Sequence, residues 1–142
     1  MSVNKNRPHV LVLPEDDANR QMAVGFTLAL DPSATRSLQV LPPAGGWSKT
    51  VDLLLSDHVQ QMARYPDRRM VLLIDLDNHP ERTEQVQREI PEAYRERVFI
   101  LSTLTEPERL RSAGLGSFET IGARLATECR EDTGTTWSHE LL

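Results

Sequence analysis

RRMVLLIDLDNHP, residues 68–80, carries the most structural information in the chain. Its apolar run Met70–Ile74 has no helical period and ends on an acid. A short, fully apolar run of this kind reads as a strand buried on both faces, the central position of a parallel sheet. Working outward, HVLVLP (9–14) is a second such run, SLQVLP (37–42) a third and VFILS (98–102) a fourth. Between them lie amphipathic stretches. EDDANRQMAVGFTLAL offers Met22, Val24, Phe26 and Leu28 to Leu30 to a core and stops near Asp31-Pro32. Residues 49–64 place Val51, Leu54, Leu55, His58 or Val59, and Met62 at helical spacing, with Ser48 as the expected cap. Pro80 suits a first helical position. EPERLRSAG predicts a short helix ended by Gly114, and Ser117 is placed to cap SFETIGARLATECRE. The alternation predicts an α/β fold: a single Rossmann-like domain over 1–142, with a mostly parallel four-stranded sheet flanked by helices. The core spans about 9–131 and a tail 132–142, whose Trp137, Leu141 and Leu142 offer apolar surface to a partner or to the domain itself.

The 142 residues suit one domain. Nothing approaches the roughly 20 apolar residues of a membrane span. The opening MSVNKNRPH lacks the apolar stretch of a secretory signal, which predicts a cytoplasmic protein with no membrane partner. One cysteine, Cys129, excludes an internal disulfide and a thiolate zinc site; it reads as a partly buried thiol on a helix. The net charge of −5 is not that of a protein that grips nucleic acid unaided. Lys5 and Lys49 are the only lysines.

Parallel sheets place their sites beyond the C-terminal ends of the strands, and the polar clusters fall there. Asp75 and Asp77 are two apart, so extended backbone turns both carboxylates to one side, about 7 Å apart, with Leu76 turned back into the core. Hard divalent cations take such oxygen ligands. Glu15, Asp16 and Asp17 follow the first strand. One acid would serve the helix dipole, whereas three in a row repel one another unless a cation intervenes. Gly45-Gly46-Trp47-Ser48-Lys49 is a glycine-containing loop leading into a helix, where backbone N–H groups and Lys49 can meet a phosphate. Trp47 reads as packing against the domain. Glu106 follows the fourth strand and is placed to complete a metal shell. His9, His58, His79 and His139 form no metal-spaced pair; His79 lies beside the acids.

Strand, acid, helix, strand, glycine-containing loop, helix, strand, DxD and helix resembles the TOPRIM domain, over roughly residues 9–110. That resemblance, closest to the OLD-like and small stand-alone nucleases of defence systems, implies a Mg²⁺- or Mn²⁺-dependent nuclease acting on DNA or RNA. Glu15 matches the first-strand glutamate, and Asp75 and Asp77 the DxD. Lys49 would neutralise a neighbouring phosphate, beside Gly45 and Gly46, and Glu106 is placed like an acid of the OLD-like branch. The family reads glutamate–glycine after the first strand, whereas here Pro14 precedes Glu15 and Asp16 follows, so Asp16 or Asp17 is an alternative ligand. The resemblance further implies an ABC/OLD-type ATPase subunit as partner, within an anti-phage defence complex, and leaves room for a homo-oligomer. Asp75→Ala should then abolish cleavage and spare the fold. A second resemblance is to response-regulator receivers: VLVLPEDDANRQMA to their acidic pair, LLIDLDNHP to their phosphorylated aspartate, ILST to their later serine or threonine. Against it, no lysine follows Lys49 to hold a phosphoryl group. A third reading is a non-catalytic interaction module.

Overall fold

The computed structural model describes residues 3–30, 36–76, 78–103 and 113–131. Four strands, β1 (His9–Pro14), β2 (Leu38–Val40), β3 (Arg68–Asp75) and β4 (Val98–Thr103), form one sheet in the order β2-β1-β3-β4, every pair parallel. The Rossmann-like α/β arrangement read from the sequence is therefore present, with an entirely parallel sheet. The chain moves one way from β1 to β2 and the other way to β3 and β4, so the crevice of the sheet opens where β1 and β3 end.

Alternation along the strands sorts the side chains. Leu11 and Leu13 of β1, and Met70, Leu72 and Ile74 of β3, join a buried cluster with Val51, Leu54, Met62 and Val86. That face is covered by α2 (Trp47–Leu53), α3 (Val59–Arg64) and α4 (Arg82–Glu89). The opposite face is covered by α1 (Asp17–Leu28) and α5 (Phe118–Glu131), which pack on each other through Ala18, Met22, Phe118, Ile121 and Leu125. These two helices touch backbone to backbone. A Cβ on Gly25 would overlap the Glu119 carbonyl oxygen, and one on Gly122 the Met22 carbonyl oxygen.

Several local expectations shift. α2 begins at Trp47, so Ser48 lies inside the helix; Gly46 precedes it with φ 142° and no side chain caps it. A π-helical turn, Leu54–His58, joins α2 to α3 and holds Leu54 fully buried. α4 starts at Arg82 rather than Pro80: His79 and Arg82 N–H groups donate to the Leu76 and His79 carbonyls, which closes two turns before the helix can start. Leu28 is 79% exposed, because α1 meets the domain through Ala18, Asn19, Met22, Ala23 and Gly25. Cys129 is exposed on α5. Ser117 does cap α5, its Oγ accepting from the Thr120 N–H at 3.2 Å. The helix expected at EPERLRSAG lies outside the described residues except for Ala113 and Gly114, and so does the tail 132–142. No described helix is long and apolar enough to cross a membrane.

Candidate active site at the β1–β3 crevice

Register builds the site. Pro14 lies beside Leu73 in the sheet, so the next residue, Glu15, continues the ladder through its N–H to the Leu73 carbonyl at 2.8 Å. Its carboxylate then reaches across β3, Glu15 Oε2 accepting the Asp75 N–H at 2.6 Å. Asp75 lies beside Thr103 in the β3–β4 register, and the Thr103 hydroxyl donates to Asp75 Oδ1 at 3.1 Å. Asn19, in the first turn of α1, donates to the same oxygen at 3.2 Å. Asp16 precedes the helix and caps it, its Oδ1 accepting from the Asn19 N–H at 3.0 Å. Leu76 turns into the core, as the two-residue alternation requires.

Asp75 is 4% exposed and Glu15 8%. Burial, then the charge of Asp16 and then that of Glu15, push the Asp75 carboxyl up to about 7, against the pull of the Asn19 and Thr103 hydrogen bonds. A hollow of ≈ 420 Å³ lies between this face of the sheet and helices α1 and α5; Val12, Val71, Leu73 and Met22 are among its walls, and Asn19 and Thr103 line it too. Its aliphatic walls supply the low dielectric that makes ionising Asp75 costly.

The remaining acids divide. Asp17 faces out along α1, where Arg20 Nε and Gln21 Nε2 donate to its carboxylate at 2.8 and 2.6 Å, and these bonds hold its pKa below the ordinary value. It is a helix-surface residue and stands apart from the crevice pair. Asp77 and Glu106 lie outside the described residues. Among the described residues no three His, Cys, Asp or Glu side chains converge as metal ligands. What the described part does show is a buried pair of acids, Glu15 and Asp75, with Asp16 close enough to raise Asp75 further. Such a group calls for a proton or a cation, so its donor set suits a hard divalent ion.

The glycine loop is placed differently from expectation. The N–H groups of Gly45 and Gly46 donate to the Glu15 carbonyl at 2.8 and 3.2 Å, and that of Ala44 to the Pro14 carbonyl at 2.9 Å. These amides fix the backbone of Glu15 instead of facing outward. Gly45 has φ 93°, a conformation that favours glycine, and the Lys49 side chain lies over it. Trp47 packs on the core, and the Arg82 guanidinium stacks on its ring at 5.2 Å while donating to the Asp75 carbonyl at 3.4 Å. Arg82 therefore joins α4 to the acidic end of β3 and to Trp47 at the start of α2. His79 bonds Glu81 at the surface.

Sequence reasoning missed Asn19 and Arg82. Asn19 left a signal: a polar residue three positions after Asp16, on the side of α1 that otherwise buries Ala18, Met22 and Ala23. Arg82 left none that distinguishes it from Arg88, the other arginine of its helix. No family model, curated protein or solved structure matches the chain.

Proposed function

We propose that the crevice is the centre of a metal-dependent nuclease that cleaves phosphodiesters. The observation that carries this reading is the buried Glu15–Asp75 pair at the switch point of a parallel sheet, with Asp75 shifted to about 7. Perturbed carboxylates in such a position mark functional sites. Asp75 and Glu15 would hold the cation, with Asp16 beside them and Asp77 and Glu106 as further candidates. When bound, a divalent ion supplies charge neutralisation for the phosphate and a bound water of lowered pKa. The chain does the rest. Thr103 and Asn19 fix the rotamer of Asp75 by holding Oδ1. Glu15 is locked through its own N–H and through the loop amides on its carbonyl. Arg82 and Lys49 offset negative charge around the opening. Mg²⁺ and Mn²⁺ are the expected ions. Nucleic acid is the expected substrate, and an ATPase subunit the expected partner.

The test is thermal unfolding of wild type and Asp75→Asn with and without Mn²⁺, followed by cleavage assays on labelled DNA and RNA. A cation at about 100 times its dissociation constant adds about 2.7 kcal/mol to folded-state stability. The wild-type midpoint should rise and the variant's should not; no wild-type shift refutes the metal site.

One observation favours a second reading, the receiver. The Thr103 hydroxyl on β4 touches the Asp75 carboxylate on β3, the relation that resemblance implies. Acetyl phosphate discriminates: a phosphoryl group acquired by wild type and not by Asp75→Asn would favour the receiver over the nuclease.

A further inference from the structure

The arginines are not spread evenly. At the end of the sheet opposite the crevice, each strand is entered through a cation: Arg7 ahead of β1, Arg36 ahead of β2, Arg68 and Arg69 opening β3, and Arg97 just before β4. Hydrogen bonds knit these entries into one edge. The Asn4 N–H donates to the Arg36 carbonyl at 3.0 Å, the His9 Nδ1–H to the Arg7 carbonyl at 2.8 Å, and Arg68 Nε to His9 Nε2 at 2.9 Å. Three cations, Lys5, Arg64 and Arg68, lie 5.6, 5.5 and 4.8 Å from the centre of the Tyr65 ring. Arg97 is spent internally on the carbonyls of Met62, Tyr65 and Arg68. Lys5, Arg7, Arg36, Arg64 and Arg69 are exposed. None of them makes an ion pair among the described residues. In the same segments only Asp67 and Glu96 oppose them. A chain of net charge −5 thus carries a positive pole.

We propose that this edge is a second nucleic-acid contact, binding the phosphate backbone without reading sequence. The inference stands apart from the nuclease reading, because β3 alone separates the edge from Asp75 by about 23 Å at ~3.3 Å per residue. Three features select a phosphate chain. The exposed cations are nearly all arginine, whose planar fork matches phosphate oxygens. They form a row, since strands about 4.8 Å apart carry Arg36, Arg7 and Arg69 across roughly 10 Å. A nucleic-acid strand presents about 3 phosphates over that length at ~3.4 Å each. The edge also accounts for how an acidic protein can hold a polyanion without a basic excess overall.

The test is fluorescence anisotropy of a labelled single-stranded oligonucleotide against the whole chain in EDTA, which silences metal-dependent cleavage. With about 3 phosphate contacts the logarithmic salt slope should be near −2, a loss of roughly 20-fold in affinity between about 50 and 200 mM salt. Arg36→Glu/Arg69→Glu should halve the slope and weaken binding at least about tenfold at low salt, with its unfolding midpoint unchanged. Binding is read in EDTA and the substituted arginines lie at the far end of the sheet, so a failed nuclease reading leaves this result intact. Absence of wild-type binding, an unchanged slope in the double variant, or equal displacement by polyglutamate would overturn the proposal. So would salt-sensitive self-association that the double variant abolishes without any oligonucleotide binding, which would mark the edge as a dock for the acidic end of a second copy.

Discussion

Asp75→Asn should make the metal-free protein more stable at pH 8 while removing its cation site. In the unfolded chain Asp75 ionises near 3.8, whereas in the fold it ionises near 7. Between these values the folded state holds a proton that the unfolded state has lost. That bound proton favours folding, and its contribution is complete below about pH 4 and gone once the pH has passed through 7. The difference is about 3 pH units at 1.36 kcal/mol each, or about 4 kcal/mol. Asparagine keeps an Oδ1 to accept from Asn19 and Thr103 and has nothing to ionise. The stability difference between variant and wild type should therefore grow by about 4 kcal/mol from pH 4 to pH 8 and level off above pH 7. Urea unfolding in EDTA at several pH values measures it, and comparing differences cancels the effects of titrating groups that do not interact with Asp75. Mn²⁺ at pH 8 should close the gap by stabilising wild type alone. A variant-minus-wild-type difference that stays flat within about 1 kcal/mol over this range would refute the buried, charge-crowded account of Asp75.

Gly122→Ala forces a methyl group into the Met22 carbonyl where α5 crosses α1; overpacking of this kind costs about 1–3 kcal/mol, and urea unfolding should show it. Arg97→Ala leaves the Met62, Tyr65 and Arg68 carbonyls without the guanidinium that gathers them. A loss of about 2–4 kcal/mol is expected, and with it a thermal midpoint lower by roughly 5–15 °C; an unchanged midpoint would show that solvent serves those carbonyls as well.

The sheet was legible because buried parallel strands leave an unmistakable mark: MVLLI and LVL have no polar residue to confuse with a surface. β3 begins and ends where its sequence says, at Arg68 and Asp75. Helix starts were less legible, since Ser48 and Pro80 carry generic starting signals, while the loop ahead of α2 is fixed by contacts to Glu15 far along the chain and α4 is delayed by two local turns that begin at Leu76. At the crevice, composition marked the acids but could not tell their roles apart. Glu15 turns to a backbone amide of the neighbouring strand, Asp16 to its own helix and Asp17 to solvent-side partners. The first of those choices depends on register with β3, which a linear reading does not contain. The glycines show the same limit: their conformational freedom was readable, their partner was not.

The placement of β1 between β2 and β3 also has a cost in time during synthesis. β2 can join β1 soon after it emerges, but the other edge of β1 waits for β3, 54 residues beyond Pro14. At about 5–20 residues per second a ribosome needs roughly 3–11 s to make that stretch. Through that interval a strip of unpaired, aliphatic backbone (Val10 to Leu13) stays open to pairing with any other strand. The half-built chain is thus a candidate client for chaperones, and the acids that follow this strip, Glu15 to Asp17, are placed to discourage wrong partners until the right one is made.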